Sequence, residues 1–250
     1  MATSDPRTAA ALVIGNELLT GKIQDANVAV LGKTLFDLGI LLRRVIVCPD
    51  EVETIARDLD ELRRSHDYVF TSGGVGPTHD DVTIDAVAAA FGRRRVREPA
   101  LEAILRRHFG DRLTEAHLRM AEVPEGAELV VDERTRWPTV LVGNVFVLPG
   151  VPKIFRRKLA AVRRRLGGGK PFVSRAVTTG SDEGELAELL LRLVREHPAV
   201  AIGSYPRWSD DGYRLTVTFD GRQEGEVEAA VGALLAALPA DQIVEQGSEL

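Results

Sequence analysis

The chain has 250 residues, of which 44% are hydrophobic and 28% charged, and its net charge is −5. This composition is typical of a globular protein with one large domain or two modest ones. The single cysteine, Cys48, excludes an internal disulfide and a cysteine-rich zinc site, and its apolar neighbours predict an inert core thiol in a reducing cytoplasm. No apolar stretch is long enough to span a membrane, and no signal peptide is visible, so we expect neither insertion nor export.

Strand and helix patterns alternate through the first ninety residues. They predict a strand at 9–14, a helix from about 25 to 38 closed by Gly39, a strand at 40–47, a helix that ends near 64, a strand at 67–70 and a helix at 82–91. This order predicts a parallel sheet with helices on both faces. Ligands of such sheets bind beyond the carboxyl ends of the strands, where residues 15–21, Asp50 and a glycine-rich loop are expected to meet.

The glycine-rich loop, residues 71–81, has the sequence TSGGVGPTHDD and is the most informative segment. Gly73, Gly74 and Gly76 permit a sharp turn and a close approach of a ligand to the backbone. Free backbone N–H groups in such a loop are suited to phosphate or another anion. The loop has neither the Gly-Lys-Ser/Thr of a Walker motif nor the position of a dinucleotide fingerprint, so a Rossmann dehydrogenase is disfavoured.

Asp80 and Asp81 add two negative charges to this loop, and they would repel a bare phosphate unless a divalent cation lay between them. The alternative is that one of the two carboxylates caps the following helix. His79 is a candidate for orienting a water or a phosphate oxygen, but a solvated loop histidine is the more common case. Ser72 is a candidate nucleophile without an evident base, which disfavours a catalytic triad.

The remainder of the first domain is predicted to contain a helix at 98–110, a less regular stretch around Met120, two strands at 139–142 and 145–148 joined by Gly143-Asn144, and a helix to about 166. Pro149-Gly-Val-Pro152 is either another wall of the ligand pocket or a plain connecting turn. The basic clusters 93–97, 156–158 and 163–165 lack interleaved aromatic residues, so we interpret them as solvated helix faces rather than as nucleic-acid contacts.

Residues 167–171 have the sequence GGGKP and are predicted to link domain 1–166 to a second domain, 171–250. The second domain shows a βαββαβ pattern, the ferredoxin-like split arrangement of an α+β domain. It carries 6 basic and 14 acidic side chains, which disfavours RNA binding. No acid, base or nucleophile group stands out there, so we interpret it as a packing, interface or lid module.

Several motifs together resemble those of a known family. They are GNELLTG at 15–21 with DAN at 25–27, PDE at 49–51, SGGVGPTHDDVT at 72–83 and LPGVP at 148–152. They are similar to the molybdopterin-binding domain shared by MogA and MoaB, CinA and the N-terminal half of eukaryotic FAD synthases. The resemblance to FAD synthases continues through RWP at 136–138 and GSYPRW at 203–208 to Tyr213, and so covers nearly the whole chain.

The resemblance implies a three-layer α/β/α fold with a mostly parallel sheet and a site for a phosphorylated pterin or an adenine nucleotide. Asp50 and Asp81 match acidic positions associated with metal binding and adenylyl transfer, and Mg²⁺, Mn²⁺ and Co²⁺ are the candidate ions. Asn16 stands where the family often has aspartate, which removes one potential ligand. The expected ligand-binding residues are Ser72, Gly73, Gly74, Gly76, Pro77, Thr78, Gly15, Glu17 and Gly150, and the expected catalytic residues are Asp81, Asp50 and Asp80.

The leading hypothesis is a metal-dependent nucleotide pyrophosphatase that releases AMP from ADP-ribose-like or FAD-like substrates. The alternatives are a binding protein for molybdopterin or a nucleotide without turnover, and a molybdopterin adenylyltransferase. The amidohydrolase of CinA-like proteins and the adenylyltransferase of FAD synthases are expected to be absent. The resemblance also implies a homo-oligomer, and neither nucleic acid nor membrane is an expected partner.

Overall fold

A computed structural model describes residues 5–132, 135–209 and 212–247, and the chain divides into two compact units, 1–169 and 170–250. The strands of the first unit are β1 (Arg7–Ile14), β2 (Ile40–Cys48), β3 (Tyr68–Ser72), β4 (Arg95–Arg97), β5 (Glu122–Pro124), β6 (Glu128–Asp132), β7 (Thr135–Val142) and β8 (Val145–Leu148). Its helices are α1 (Asn16–Leu19), α2 (Asn27–Asp37), α3 (Val52–Ser65), α4 (Thr83–Ala90), α5 (Pro99–Phe109), α6 (Glu115–Arg119) and α7 (Pro152–Leu166), with a 3-10 turn at Gly110–Arg112.

The main sheet of the first unit has six strands in the order β2-β1-β3-β8-β7-β6. The strands β2, β1, β3 and β8 are parallel, whereas β7 and β6 are antiparallel additions at one edge. Because parallel strands end at the same edge of a sheet, the segments that follow Ile14, Cys48, Ser72 and Leu148 lie side by side. This edge holds the residues that the sequence marked as a ligand site.

Strand β1 shows why the sheet is covered on both faces. Its residues 9–14 are all buried and apolar, as expected for a central parallel strand, and alternate side chains point to opposite faces. Ala10, Leu12 and Ile14 pack in one cluster with α3, α4 and α5, whereas Ala9 and Ala11 pack in another with α2 and α7. The mostly parallel α/β sheet of the prediction is confirmed.

Helix α3 illustrates how sequence spacing positions these helices. Ile55, Leu59 and Leu62 are fully buried and recur at intervals of four and three residues, which places them on one face. The preceding helix, α2, ends where Gly39 adopts φ of +67° and its amide bonds to the carbonyl of Phe36, as the sequence predicted.

The second unit contains β9 (Val173–Thr179), α8 (Glu183–Glu196), β10 (Val200–Ser209), β11 (Gly212–Gly221), α9 (Glu224–Ala237), a 3-10 turn at Ala240–Gln242 and β12 (Ile243–Gly247). Its four strands form an antiparallel sheet in the order β10-β11-β9-β12. Leu186, Leu193 and Leu234 of the two helices pack against Val217 and Phe219 of β11. The observed order of elements is the predicted βαββαβ; Asp210 and Asp211 of the predicted connection between β10 and β11 lie outside the described residues.

The prediction was least accurate between residues 110 and 132. The less regular stretch around Met120 contains the short helix α6 and the strands β5 and β6. Strands β4 and β5 form a separate two-stranded sheet, and β6 pairs with β7 in the main sheet. β4 and β5 depend on partners distant in the sequence, and all of these strands are short, so local periodicity carries little signal for them. None of the described helices is long and apolar enough to cross a membrane.

Phe146 provides a test of this core. Its ring lies 5.1 Å from that of Phe70 between centroids, nearly parallel to it, and both side chains are buried between the sheet and α7. Phe146→Ala is expected to lower the free energy of unfolding by about 3–5 kcal/mol, because it leaves a cavity and removes the ring contact. Urea denaturation measures the change.

Val131→Ala on β6 is the matched control, because Val131 is 62% exposed. Its expected cost is below about 0.5 kcal/mol. If Phe146→Ala cost no more than this control, the ring would not belong to the core.

Candidate functional site

The glycine loop is held between the ends of three strands. The amide of Gly73 donates to the carbonyl of Leu148 at 3.2 Å, and Gly73 itself has φ of +112°. A Cβ atom at Gly73 would lie 2.1 Å from the carbonyl oxygen of Ile14, and one at Gly150 would lie 3.3 Å from Cα of Gly73. Only glycine fits at position 73, because the backbones of β1 and β8 leave no room for a side chain.

Thr83, at the start of α4, ties the helix to the loop. Its hydroxyl donates to the carbonyl of Gly73 at 2.9 Å, and its amide donates to the carbonyl of Gly74 at 2.9 Å. The side chain is fully buried. These bonds use the carbonyls of Gly73 and Gly74. In the described part of the chain, the N–H groups of Gly74, Val75 and Gly76 donate to no protein acceptor.

Asp81 closes the other end of the loop. Its Oδ2 atom accepts hydrogen bonds from both the amide of Thr78, at 2.8 Å, and the hydroxyl of the same residue. The same oxygen lies 2.5 Å from where a Cβ of Gly76 would be, so Gly76 is needed to make room for the carboxylate. Helix α4 begins at Thr83 without a side-chain cap, and the interpretation of Asp80 or Asp81 as its cap is therefore wrong.

Asp80 and His79 point into solvent. The carboxylate of Asp80 is 59% exposed, and the imidazole of His79, 3.9 Å from it, is 97% exposed. In this conformation His79 is a solvated loop histidine, as its isolated position in the sequence suggested.

Ser72 is bridged to the turn before α7 by a buried asparagine. The side-chain amide of Asn27 donates to the hydroxyl of Ser72 at 2.9 Å and to the carbonyl of Gly150 at 2.8 Å. The carboxylate of Asp25 positions Asn27 by accepting its backbone amide at 3.1 Å. No base contacts Ser72 among the described residues, which agrees with the prediction against a triad. The carbonyl oxygen of the Asn27 side chain is buried and has no protein partner in the described part of the chain.

A second pair of acids lies beyond β1 and β2. Oδ2 of Asp50 accepts the backbone amide of Asn16 at 2.8 Å, and the carboxylate of Glu17 lies 2.7 Å from where a Cβ of Gly15 would be. The contact with Asp50 uses the backbone of Asn16, so the asparagine in place of the family's usual aspartate does not affect it.

The predicted metal ligands are only partly brought together. Among residues 5–132, 135–209 and 212–247, no three histidine, cysteine, aspartate or glutamate side chains converge on one point, and no contact joins Asp50 to Asp81. Each of these carboxylates uses Oδ2 in a hydrogen bond, and Oδ1 has no such partner among the described residues. This donor set fits an ion such as Mg²⁺ that takes one or two carboxylate oxygens and fills its other positions with phosphate and water.

A cavity of about 1230 Å³ opens beside the glycine loop. Gly76 and Asp81 are the predicted site residues that line it. Its apolar wall includes Ile84, Ile104 and Trp137. The volume exceeds the roughly 300–1,000 Å³ of most small-molecule sites, so a ligand built from two joined parts would fit.

Four arginines line this cavity. Arg95 is neutralised, since its guanidinium lies 2.9 Å from the carboxylate of Asp85 and 3.3 Å from that of Glu122. Within the described residues, Arg107, Arg119 and Arg157 form no ion pair. The sequence did not single out Arg107 and Arg119, and it placed Arg157 in the cluster 156–158 that was interpreted as a solvated helix face. Exposed arginines at helix positions are common, and the grouping of these three depends on the packing of α5, α6 and α7.

Lys158 is the cavity residue that the sequence analysis misjudged. The cluster 156–158 was expected to be a solvated helix face, yet Lys158 is only 4% exposed and lines the cavity. Its ammonium donates to the carbonyls of Trp137 and Pro138, and burial lowers its pKa from 10.5 to about 7. The spacing of residues in α7 could have predicted this burial, because Lys158 follows the core residue Phe155 by three positions and lies on the same helix face.

Cys48 at the end of β2 behaves as predicted. Its side chain is 2% exposed, and burial raises the pKa of the thiol to about 12. A thiol with this pKa carries almost no thiolate near neutral pH, so it is an inert core group.

Family models match both units of the chain. Residues 10–166 match the family described as "Probable molybdopterin binding domain". The chain belongs to this family. In addition, residues 171–247 match the "FAD synthase, middle domain" family. The resemblance seen in the loop motifs is thereby confirmed.

Three relatives show how this molybdopterin-binding domain occurs elsewhere. A protein of Archaeoglobus fulgidus is 34% identical over 218 residues, which cover 87% of this chain and 92% of that protein. A "Probable FAD synthase" of Caenorhabditis elegans is 30% identical over 91% of this chain and 49% of its own length, and a "CinA-like protein" of Frankia casuarinae is 32% identical over 88% and 55%. The chain thus spans about half the length of the latter two.

Among solved structures, the protein CinA of Thermoplasma acidophilum is similar to this chain with a TM-score of 0.60 and 29% identity. The match covers 65% of this chain and all of that one.

Gly73→Ala tests whether the backbone approach at the loop is obligatory. The added methyl would lie 2.1 Å from the Ile14 carbonyl oxygen at a φ of +112°, so we expect a loss of more than about 3 kcal/mol, or insoluble protein. Gly21→Ala separates the clash from backbone strain, because Gly21 also has positive φ but no atom within 4 Å of an added Cβ. Its expected cost in urea denaturation is about 1 kcal/mol. Equal costs would contradict the close approach.

Lys158 predicts a pH dependence of stability. Between about pH 7 and about pH 9 the unfolded lysine, with its ordinary pKa of 10.5, holds a proton that buried Lys158 has lost. The unfolded state therefore binds more protons, and the free energy of unfolding rises with pH by up to about 1.4 kcal/mol per unit. The Cys48 thiol has an ordinary pKa of 9.0, which burial raises to about 12, so it is mainly protonated in both states up to about pH 8, and the Lys158 slope is read below that pH.

Urea denaturation of the unmodified protein and of Lys158→Met at several pH values measures this slope. We expect the substitution to remove it. The same slope in both proteins would assign it to another group.

Proposed function

We propose that this protein is a metal-dependent nucleotide pyrophosphatase that hydrolyses ADP-ribose-like or FAD-like substrates and releases AMP. The observation that carries the proposal is the run of three free amides at Gly74, Val75 and Gly76, beside the Asp81 carboxylate at the mouth of a large cavity. Successive free N–H groups in a glycine turn form a concave anion site. A phosphate bound there would have a carboxylate within reach of the same cation.

In this proposal the loop amides hold one phosphate of the pyrophosphate, and Oδ1 of Asp81, together with Asp50, faces the cation. Thr78 fixes the orientation of Asp81 through two hydrogen bonds. A bound divalent ion supplies charge neutralisation and a more acidic water. Addition of water to one phosphorus, with cleavage of the bridging P–O bond, would give AMP and the phosphate monoester of the other half.

Additional support comes from hydrogen bonds that fix the loop without using its free amides. Thr83 binds the carbonyls of Gly73 and Gly74, and Asn27 binds the Ser72 hydroxyl, so the loop is fixed before a ligand arrives. Donors that are already oriented stabilise developing negative charge without reorganising during the reaction.

Two alternatives from the same family stay open to test. A binding protein for molybdopterin or a nucleotide is favoured by one observation: the described residues contain no group of three metal-ligating side chains. A molybdopterin adenylyltransferase would use the same anion site to hold ATP. It differs from the pyrophosphatase in its product, an adenylylated pterin in place of free AMP.

The central experiment incubates purified protein with ADP-ribose, FAD, NAD or ATP, with and without Mg²⁺, Mn²⁺ or Co²⁺, and measures AMP. We expect metal-dependent AMP release from ADP-ribose or FAD. No turnover of any substrate by folded protein would favour the binding role. An adenylylated product formed only from ATP and molybdopterin together would favour adenylyl transfer.

Asp81→Asn tests the role of the carboxylate. Asparagine still accepts the hydrogen bonds of Thr78 but lacks the charge that binds the cation, so we expect at least about a hundredfold loss of kcat with unchanged stability. Steady-state AMP release and urea denaturation measure the two quantities.

Glu53→Gln is the control, because it removes a charge from an exposed glutamate of α3 that makes no described contact. Full activity of Asp81→Asn would remove this carboxylate from the mechanism.

A further inference from the structure

Resting on the proposed function, we propose that the cavity selects nucleotides with a phosphate monoester in addition to their pyrophosphate, and that Lys158 and Arg157 bind this extra phosphate. The inference concerns the class of substrate, whereas the proposed function concerns the reaction at the glycine loop.

The glycine loop and the cavity share residues. Gly76 and Asp81 belong both to the glycine loop and to the wall of the cavity. A pyrophosphate held at the loop therefore places part of its substrate in the cavity. The volume of about 1230 Å³ suits such a two-part ligand, and Ile84, Ile104 and Trp137 offer apolar surface to a ring.

The side chains that line the cavity carry an excess of positive charge. After Arg95 is neutralised by Asp85 and Glu122, the remaining charged lining is Asp81 against the cations Arg107, Arg119, Arg157 and Lys158. A divalent ion at Asp81 would leave these cations without a counter-charge in the described part of the chain. An anionic group of the ligand would supply it, and arginine suits phosphate through its planar pair of donors.

Lys158 is buried in an environment that leaves room for an anion. In its protonated form Lys158 has three ammonium protons, and the described contacts use two of them, to the carbonyls of Trp137 and Pro138. Among the described residues no carboxylate pairs with it, although it is 4% exposed. A buried cation without a nearby negative charge destabilises the fold. A phosphate that entered the cavity would provide that negative charge. Arg157, the preceding residue of α7, lines the same cavity and is free to share that phosphate.

The test uses two ligand pairs that differ by one phosphate monoester: NADP⁺ against NAD⁺, and coenzyme A against its dephospho form. Binding is measured by calorimetry on the Asp81→Asn variant in EDTA at fixed ionic strength, so the result depends neither on turnover nor on a cation at Asp81. We expect the phosphorylated member of each pair to bind at least about tenfold more tightly.

Lys158→Met and Arg157→Met should each reduce this preference by roughly tenfold. Arg156→Met is the matched control, because it removes a charge from the neighbouring exposed position of α7 that does not line the cavity. It should leave the preference unchanged. If Lys158→Met does not fold, Arg157→Met decides, because Arg157 is exposed and makes no described contact.

Equal binding within both pairs, or no binding of any of the four ligands, would overturn the proposal. A preference that survives Lys158→Met and Arg157→Met, or that Arg156→Met removes, would overturn the assignment to these two residues. AMP release from ADP-ribose is measured separately and decides the proposed reaction, so failure of one is distinguished from failure of the other.

Discussion

The close approach of Gly73 to the backbone of β1 is the constraint on which the site depends. The absence of a side chain at this position lets the loop pass between the Ile14 carbonyl and Gly150, so that the ends of β1, β3 and β8 meet without a gap. Thr83 then binds the loop carbonyls of Gly73 and Gly74, and Asn27 joins the Ser72 hydroxyl to the carbonyl of Gly150. The amides of Gly74, Val75 and Gly76 keep no protein acceptor among the described residues. The anion site is therefore a consequence of backbone packing.

The acidic residues are arranged differently from those of a preformed metal cage. Asp81 is oriented by Thr78 and Asp50 by the backbone of Asn16, yet the described contacts do not join the two carboxylates. Each presents one free oxygen. An ion bound by so few protein ligands depends on substrate phosphate to complete its coordination, which links metal binding to substrate binding.

Burial of Lys158 beside the cavity lowers the stability of the fold. Lys158 is held by two carbonyl groups in a place where burial lowers its pKa to about 7, and an apolar residue would fill that place at lower cost. The unpaired arginines of α5, α6 and α7 surround the same volume. Positive charge is concentrated beside a loop that carries acids. A phosphorylated ligand is complementary to the positive charge directly, and to the acids only with a cation between them.

Local sequence determined the strand, loop and helix around residues 68–90, the inert thiol of Cys48 and the split order of the second unit. The reason is that glycine conformation and apolar periodicity act over a few residues. Tertiary structure decided that Asp81 binds Thr78 instead of capping α4, that Asn27 joins Ser72 to Gly150, and that Lys158 leaves the solvent to line a cavity. Asn27 and Gly150 are 123 positions apart, and the cavity lining comes from segments spread between residues 75 and 158. Only the packing of the sheet and its helices brings such groups together, because no local pattern encodes the direction of a side chain toward a distant partner.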